Sequence, residues 1–138
     1  MTTKTIASDS GSVTPGEDQR PPIWTGHLTV RGADPEASAE FYEILGMRRI
    51  LKSPEMAILE MRGGTHLIVL RGEAGEPGRV PFDLMVDELP ACHDRWAAAG
   101  LTVTSIAPTR GNIHNAFTIS DPDGRAIVVL DSHVVGAV

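Results

Sequence analysis

The sequence has few of the residues that define disulfide-linked, cysteine-metal or nucleic-acid-binding proteins. Among its 138 residues is a single cysteine, Cys92, which excludes an internal disulfide and a metal site built from several cysteines. The formal net charge is −6 and no run of lysine or arginine occurs, so nucleic acid is excluded as a partner. No apolar stretch approaches the ~18 residues that span a membrane.

The remaining composition is that of one ordinary globular domain. Hydrophobic residues make up 41% of the chain, and a chain of this length buries about 68% of its unfolded surface. Fourteen glycines and ten prolines between short apolar runs indicate many turns and short strands. The start of the chain lacks the apolar core of a signal peptide, which predicts a cytoplasmic location.

The chain divides into a polar start and a domain. Residues 1–21 are rich in Ser, Thr, Gly, Asp and Pro, and we expect a flexible N-terminal tail there. Residues 22–138 then form a single domain. Within it, residues 73–79 read as a linker between a first module, about 22–72, and a second module, about 80–133.

Residues 24–46 carry the clearest local pattern. Residues 26–31 alternate between apolar and polar, which predicts a strand. Asp34 and Pro35 follow, a capping carboxylate and a proline at the first helical position. Apolar residues then recur at helical spacing as far as Gly46, which suits the left-handed position after a helix.

This pattern occurs twice along the chain. The helix before Gly46 is followed by three predicted strands, at 47–52, 56–61 and 65–70. In the second half, a strand and a helix that ends at Gly100 are again followed by three predicted strands. Those four strands are 82–86, 101–106, 117–120 and 125–130. The order βαβββ therefore repeats, with an offset of 54 residues, and such a repeat predicts two similar modules that must pair to cover their sheets.

Three stretches give the repeat a family resemblance: residues 26–47, residues 63–70 and residues 117–130. Together they resemble the vicinal oxygen chelate superfamily, which holds glyoxalase I, extradiol dioxygenases and the fosfomycin and bleomycin resistance proteins. The resemblance implies an α+β fold in which two βαβββ modules form a curved mixed sheet around a cavity. It also implies a homodimer. It does not select one activity, because this fold hosts many.

The resemblance implies up to four inward metal ligands, on the first and last strand of each module. The corresponding positions here are His27, Ile68, Pro81 and Val128. Only His27 can donate a lone pair, and sites of this class need about three protein ligands. We therefore expect no metal and no cofactor. The alternative is one divalent ion held by a displaced set, in which strand parity adds His66 and Asp83 to His27.

The other candidates have alternative interpretations. His27 either contacts a ligand or is held by a neighbour in the cavity. Asp83 needs a partner if it faces inward, either an arginine such as Arg31 or a cationic ligand. His114 either lines the cavity mouth or belongs to a loop. The larger aromatic residues are expected to be mostly core: Trp24, Phe41, Tyr42 and Trp96.

These observations predict a small-molecule-binding protein that works without metal, like the drug-sequestering members of the superfamily. The cavity would hold an apolar or cationic compound. Its lining is predicted to include His27, His66, Asp83, Ile68, Val128 and His114. Sequestration needs no catalytic residue. Two alternatives stand beside it: a metal-dependent lyase, isomerase, dioxygenase or thiol transferase, and an interaction protein whose cavity is filled by its own side chains.

Overall fold

A computed structural model describes residues 18–75 and 78–132 as two successive βαβββ modules. The first comprises β1 (His27–Gly32), α1 (Pro35–Leu45), β2 (Arg48–Lys52), β3 (Met56–Glu60) and β4 (His66–Arg71). The second comprises β5 (Arg79–Val86), α2 (Leu89–Ala98), β6 (Ala107–Pro108), β7 (Asn115–Ser120) and β8 (Ala126–Asp131). The predicted α+β architecture is confirmed. The predicted tail lies almost wholly outside the described residues.

Each module forms its own four-stranded mixed sheet. The strand orders are β1-β4-β3-β2 and β5-β8-β7-β6, so the first and last strands of each module are neighbours and run parallel. The other pairs are antiparallel. Between residues 18 and 132, leaving out 76–77, no strand pairing joins the two sheets. The strands β1 and β5 contact each other across this junction.

The predicted helix in the first module has both of its expected ends. The Asp34 carboxylate accepts hydrogen bonds from the backbone N–H groups of Glu36 at 3.1 Å and Ala37 at 3.3 Å. Gly46 adopts φ +114° at the C-terminus, a left-handed conformation that glycine adopts without strain. Tyr42 and Phe41 on this helix are buried, as predicted.

The predicted strand at 101–106 is wrong. In its place the structure has one isolated bridge, between Val103 and Ile119, and the two-residue strand β6 further along. The reason lies in Thr104, whose hydroxyl oxygen accepts a hydrogen bond from the backbone N–H of Thr118 at 2.8 Å. The backbone N–H of Thr118 is thus bonded to a side chain, whereas a regular β-ladder would pair it with a backbone carbonyl.

The core is the helix side of each sheet. Alternate strand residues such as Leu59, Leu67 and Ile127 have no exposed surface, and Trp96 on α2 is 2% exposed. Trp24 is the exception among the aromatic residues predicted to be core, because it is 67% exposed. It precedes β1 and therefore lies outside the strand that packs on the helix. The two helices have 11 and 10 residues, and no helix of the described ranges is long and apolar enough to cross a membrane.

A buried ion pair supports the turn between β7 and β8. The Asp121 carboxylate accepts from Arg125 Nε at 2.9 Å and from the Arg125 backbone N–H at 2.7 Å. Both residues are 6% exposed. Asp123 in the same turn accepts from the backbone N–H of Ala33, at the start of the first module's helix, at 3.1 Å. The turn therefore joins the two modules.

We expect Asp121→Ala to lower the free energy of unfolding by ~3–5 kcal/mol, because it leaves the buried Arg125 guanidinium without its main partner. Glu55→Ala is the matched control: it breaks the exposed ion pair with Arg71, which should change stability by only ~0.5 kcal/mol. Urea denaturation measures both. Equal effects of the two substitutions would contradict a structural role for the buried pair.

Candidate functional site

Each sheet has a second face, turned away from its helix, which is here called the open face. Burial alternates along β1, where Val30 is buried and His27 is exposed. It alternates in the same sense along β4, where Leu67 is buried and His66 is partly exposed. Successive side chains of a strand point to opposite faces, so both histidines lie on the open face of the first sheet.

Four polar residues cross this open face in one row, here called the polar row. His27 on β1 is in register with His66 on β4, which is in register with Glu60 on β3, which is in register with Arg48 on β2. The two imidazole rings are nearly parallel, at 12°, with centroids 5.7 Å apart. The row therefore extends from one edge of the sheet to the other.

Glu60 is the central acceptor of the polar row. Its Oε1 accepts from Arg48 Nε at 2.8 Å, and Arg48 Nη2 also contacts it. Its Oε2 lies 3.1 Å from Nε2 of His66. The hydrogen bonds from Arg48 and then from His66 hold the pKa of the Glu60 carboxyl below its usual range. Glu60 is therefore ionised at neutral pH.

The inherited metal positions do not converge on a set of donors. In the first module His27 lies in the polar row, and Ile68 lies two residues beyond His66 on β4. In the second module Val128 is in register with Asp83, and Pro81 is exposed. Within residues 18–75 and 78–132 no group of three or more His, Cys, Asp or Glu side chains could hold a metal ion. The residues at the four positions do not fit the ion that the family implies.

The displaced set is brought together only in part. His27 and His66 are neighbours, but the carboxylate beside His66 is Glu60, and Asp83 lies on the other sheet. The pairing of Asp83 with Arg31 is absent, because neither side chain has an ion-pair partner in the described part of the chain. Asp83 is exposed on β5.

His114 stands apart from the polar row, in the loop before β7. Its Nδ1 lies 2.9 Å from the backbone carbonyl oxygen of Asp131 and 3.2 Å from that residue's carboxylate. The same carboxylate accepts from the backbone N–H of Asn115 at 3.0 Å. Through these contacts His114 holds the loop before β7 against the end of β8.

A cleft of about 790 Å³ lies at the junction of the two modules and is here called the junction cleft. Its apolar walls come from both modules and include Leu28, Leu45, Met47, Met61, Leu84, Val86 and Trp96. All six predicted ligand-binding residues lie in the described part of the chain, and of these Asp83 alone lines the cleft. Glu60 lines it as well, so the cleft and the polar row meet at Glu60.

The junction cleft has an excess of negative charge. Four carboxylates and two guanidinium groups line it: Glu60, Asp83, Asp87, Glu88, Arg62 and Arg95. Arg62 Nη2 and Asp87 Oδ2 form an ion pair of 2.7 Å between the modules. The hydrogen bond from Arg62 holds the pKa of the Asp87 carboxyl below its usual range. Asp83 and Glu88 have no ion-pair partner within the described ranges.

Glu60 and Arg48 were missed by the sequence interpretation. A signal for Glu60 exists, because it follows the alternation of β3, where Ala57 and Leu59 are buried. The turn Arg62–Gly64 then brings β4 back beside β3. Counting residues across this turn pairs Glu60 with His66, and strand parity places both on the open face.

Comparison with known proteins gives one family. The sequence model of the Glyoxalase/Bleomycin resistance protein/Dioxygenase superfamily matches residues 24–129. No curated protein sequence matches the chain significantly.

Solved structures show the same fold at low identity. Lactoylglutathione lyase from Agrobacterium tumefaciens has a TM-score of 0.67 at 18% identity, covering 86% of this chain and 100% of its own. The bleomycin resistance determinant encoded on transposon Tn5 has a TM-score of 0.64 at 17% identity, covering 81% and 100%. A bleomycin-binding protein complexed with bleomycin has a TM-score of 0.63 at 17% identity, covering 80% and 99%.

A carboxylate restored at one inherited metal position should destabilise the protein. We expect Val128→Glu to be less stable than the neutral, isosteric Val128→Gln by ~0.5–1 kcal/mol, because the new charge lies in register with Asp83. The difference should vanish below about pH 4, where carboxyl groups become protonated. Urea denaturation of both variants at pH 7 and pH 3 tests this. A more stable Glu variant at pH 7, with a metal bound, would contradict it.

Proposed function

The chain belongs to the Glyoxalase/Bleomycin resistance protein/Dioxygenase superfamily, and we propose that it binds a small molecule in the junction cleft without a metal ion. The observation that carries the proposal is the cleft itself: about 790 Å³ with walls that are largely apolar and charged groups that are mostly carboxylates. Sites for small organic molecules are concave and mostly apolar, with a few polar groups that fix orientation.

The charges of the cleft select the class of ligand. Glu60 forms an ion pair with Arg48, and Asp87 forms one with Arg62, so the charges of these two carboxylates are already balanced. Asp83 and Glu88 remain without an ion-pair partner in the described chain, and Asp83 is the one of the two that belongs to the predicted ligand-binding set. A compound with an apolar body and one positive charge would place its charge on Asp83 and its body on the walls. The net charge of −6 favours the approach of such a cation.

The side chains at the inherited positions support binding without metal. Ile68, Pro81 and Val128 carry no lone-pair donor, and His27 alone is too few ligands for a first-row ion in water. A protein that only sequesters its ligand needs affinity and no chemistry. Among proteins of this fold, a bleomycin-binding protein is known in complex with bleomycin, which supports small-molecule binding as the use of the fold here.

The alternative function is a metal-dependent enzyme of the same superfamily. Its support is the fold shared with lactoylglutathione lyase and the pair of imidazoles next to a carboxylate in the polar row. Metal analysis of protein purified without chelators separates the two. We expect far less than one equivalent per chain. One equivalent that His27→Ala removes would overturn the metal-free proposal and make His66 and Glu60 the next residues to substitute.

A homodimer in the cytoplasm completes the proposal. Large apolar side chains are exposed on α1 and β2 of the first module: Ile44, Ile50 and Leu51. A second copy that covers them would remove apolar surface from water. Sedimentation at tens of micromolar should then give about twice the 14.7 kDa chain mass. A clean monomer would exclude the dimer and leave the binding proposal intact.

Substitution of Asp83 tests the ligand class. We expect benzyltrimethylammonium to raise the melting temperature of the wild-type protein, since a ligand that binds only the folded state stabilises it. Asp83→Asn should weaken this binding about tenfold, which is ~1.4 kcal/mol. Glu55→Gln is the matched control, because Glu55 is an exposed carboxylate paired with Arg71 and lies outside the cleft lining.

The neutral probe benzyl alcohol shows how much the charge contributes. It should bind the wild-type protein more weakly than the cation does, and Asp83→Asn should leave its affinity unchanged. If Asp83→Asn and Glu55→Gln have equal effects on the cation, or if both probes bind equally tightly, the cationic ligand class is wrong.

A further inference from the structure

The polar row contains a histidine whose hydrogen-bonding pattern is determined by its neighbours. Both oxygens of Glu60 are occupied, Oε1 by the Arg48 guanidinium and Oε2 by the His66 ring at 3.1 Å. The side chain of Glu60 is 18% exposed, and that of His66 is 30% exposed. The carboxylate is therefore held between two donors and has little freedom to rotate away.

An ionised carboxylate can only accept hydrogen bonds, so the proton between Glu60 and His66 belongs to Nε2 of the imidazole. In the neutral ring the other nitrogen, Nδ1, then carries a lone pair and acts as an acceptor. Nδ1 of His66 has no hydrogen-bond partner among the described residues. The ring presents one acceptor that its own chain leaves unused.

This acceptor lies beside the junction cleft. Glu60, which bonds the ring, lines the cleft, and so does Thr65, the residue before His66. On its other side the ring is flanked by His27 at 5.7 Å, which is exposed on the open face. His66 itself is outside the cleft lining, so a ligand would reach its ring by extending past Glu60.

We propose that Glu60, clamped by Arg48, is a positioning residue that fixes His66 as a hydrogen-bond acceptor for N–H or O–H groups of the ligand. This rests on the proposed function and deepens it. The ligand class becomes a compound with an apolar body and a cationic group that carries N–H donors, such as a primary ammonium or a guanidinium. Quaternary ammonium compounds, which have no such donor, gain nothing from His66.

Glu60→Gln inverts the pattern with almost no change of shape. Arg48 still requires an acceptor, so it keeps the carbonyl oxygen of the amide and the NH₂ group turns to His66. An NH₂ group donates, so Nε2 must accept and the imidazole proton moves to Nδ1. The variant should therefore present a donor where the wild-type protein presents an acceptor.

The first measurement reads the proton directly, in the protein without ligand. Long-range ¹H–¹⁵N spectra of the neutral imidazole ring should show His66 with the proton on Nε2. Glu60→Gln should move it to Nδ1, and Glu55→Gln should leave it on Nε2. A wild-type protein with the proton on Nδ1 overturns the proposal, whatever the variants do.

The second measurement compares two cations of equal charge, benzylamine and benzyltrimethylammonium. The quantity compared is the affinity for benzylamine divided by the affinity for benzyltrimethylammonium. Glu60→Gln should lower this ratio about tenfold, which corresponds to ~1.4 kcal/mol. Because both probes carry one charge, the ratio cancels the charge that the substitution removes. Asp83→Asn should weaken both probes alike and leave the ratio unchanged.

The outcomes separate this inference from the function on which it rests. If both cations bind the wild-type protein, Asp83→Asn weakens them, and Glu60→Gln leaves the ratio unchanged, the positioning role is wrong and the proposed function stands. If neither cation binds, the ligand class is wrong, and the tautomer measurement alone decides whether Glu60 positions His66.

Discussion

The structure depends on one constraint: each helix covers only one face of its four-stranded sheet. Leu59 and Leu67 are buried under α1, and Ile127 and Phe117 are buried under α2. In each of these strands the apolar side chains of the alternating pattern therefore face the helix. The other half has no cover within the described chain. Polar groups can remain on that face at little cost because water or a ligand reaches them, whereas the helix side would require a partner for each one.

The two modules use their open faces differently, although they share one topology. With the offset of 54 residues, His27 corresponds to Pro81 and Thr29 to Asp83. The first module carries a connected row of donors and acceptors, while the second carries one carboxylate in register with Val128. A ligand at the junction would therefore meet hydrogen-bonding groups from one side and an unpaired charge from the other. Neither module alone offers both.

Local signals predicted most of the fold, because they depend on a few adjacent residues. Asp34 and Gly46 mark the ends of α1 through the bonds that an end must satisfy. The strand expected at 101–106 failed because the hydroxyl of Thr104 replaced a backbone acceptor, which depends on what lies opposite in space. The candidate site was less predictable for the same reason. Parity placed His27 and His66 on one face, but the partner of His66 depends on the register between β3 and β4.

That register also determines which carboxylate lies beside the two histidines of the first module. The charge of Glu60 is balanced by the Arg48 guanidinium, and its Oε2 is in contact with His66. A metal ion would have to compete with Arg48 for this carboxylate. The same contacts that make Glu60 a poor metal ligand make it a good support for His66. In the proposed function, this face of the fold orients one imidazole instead of coordinating an ion with several groups.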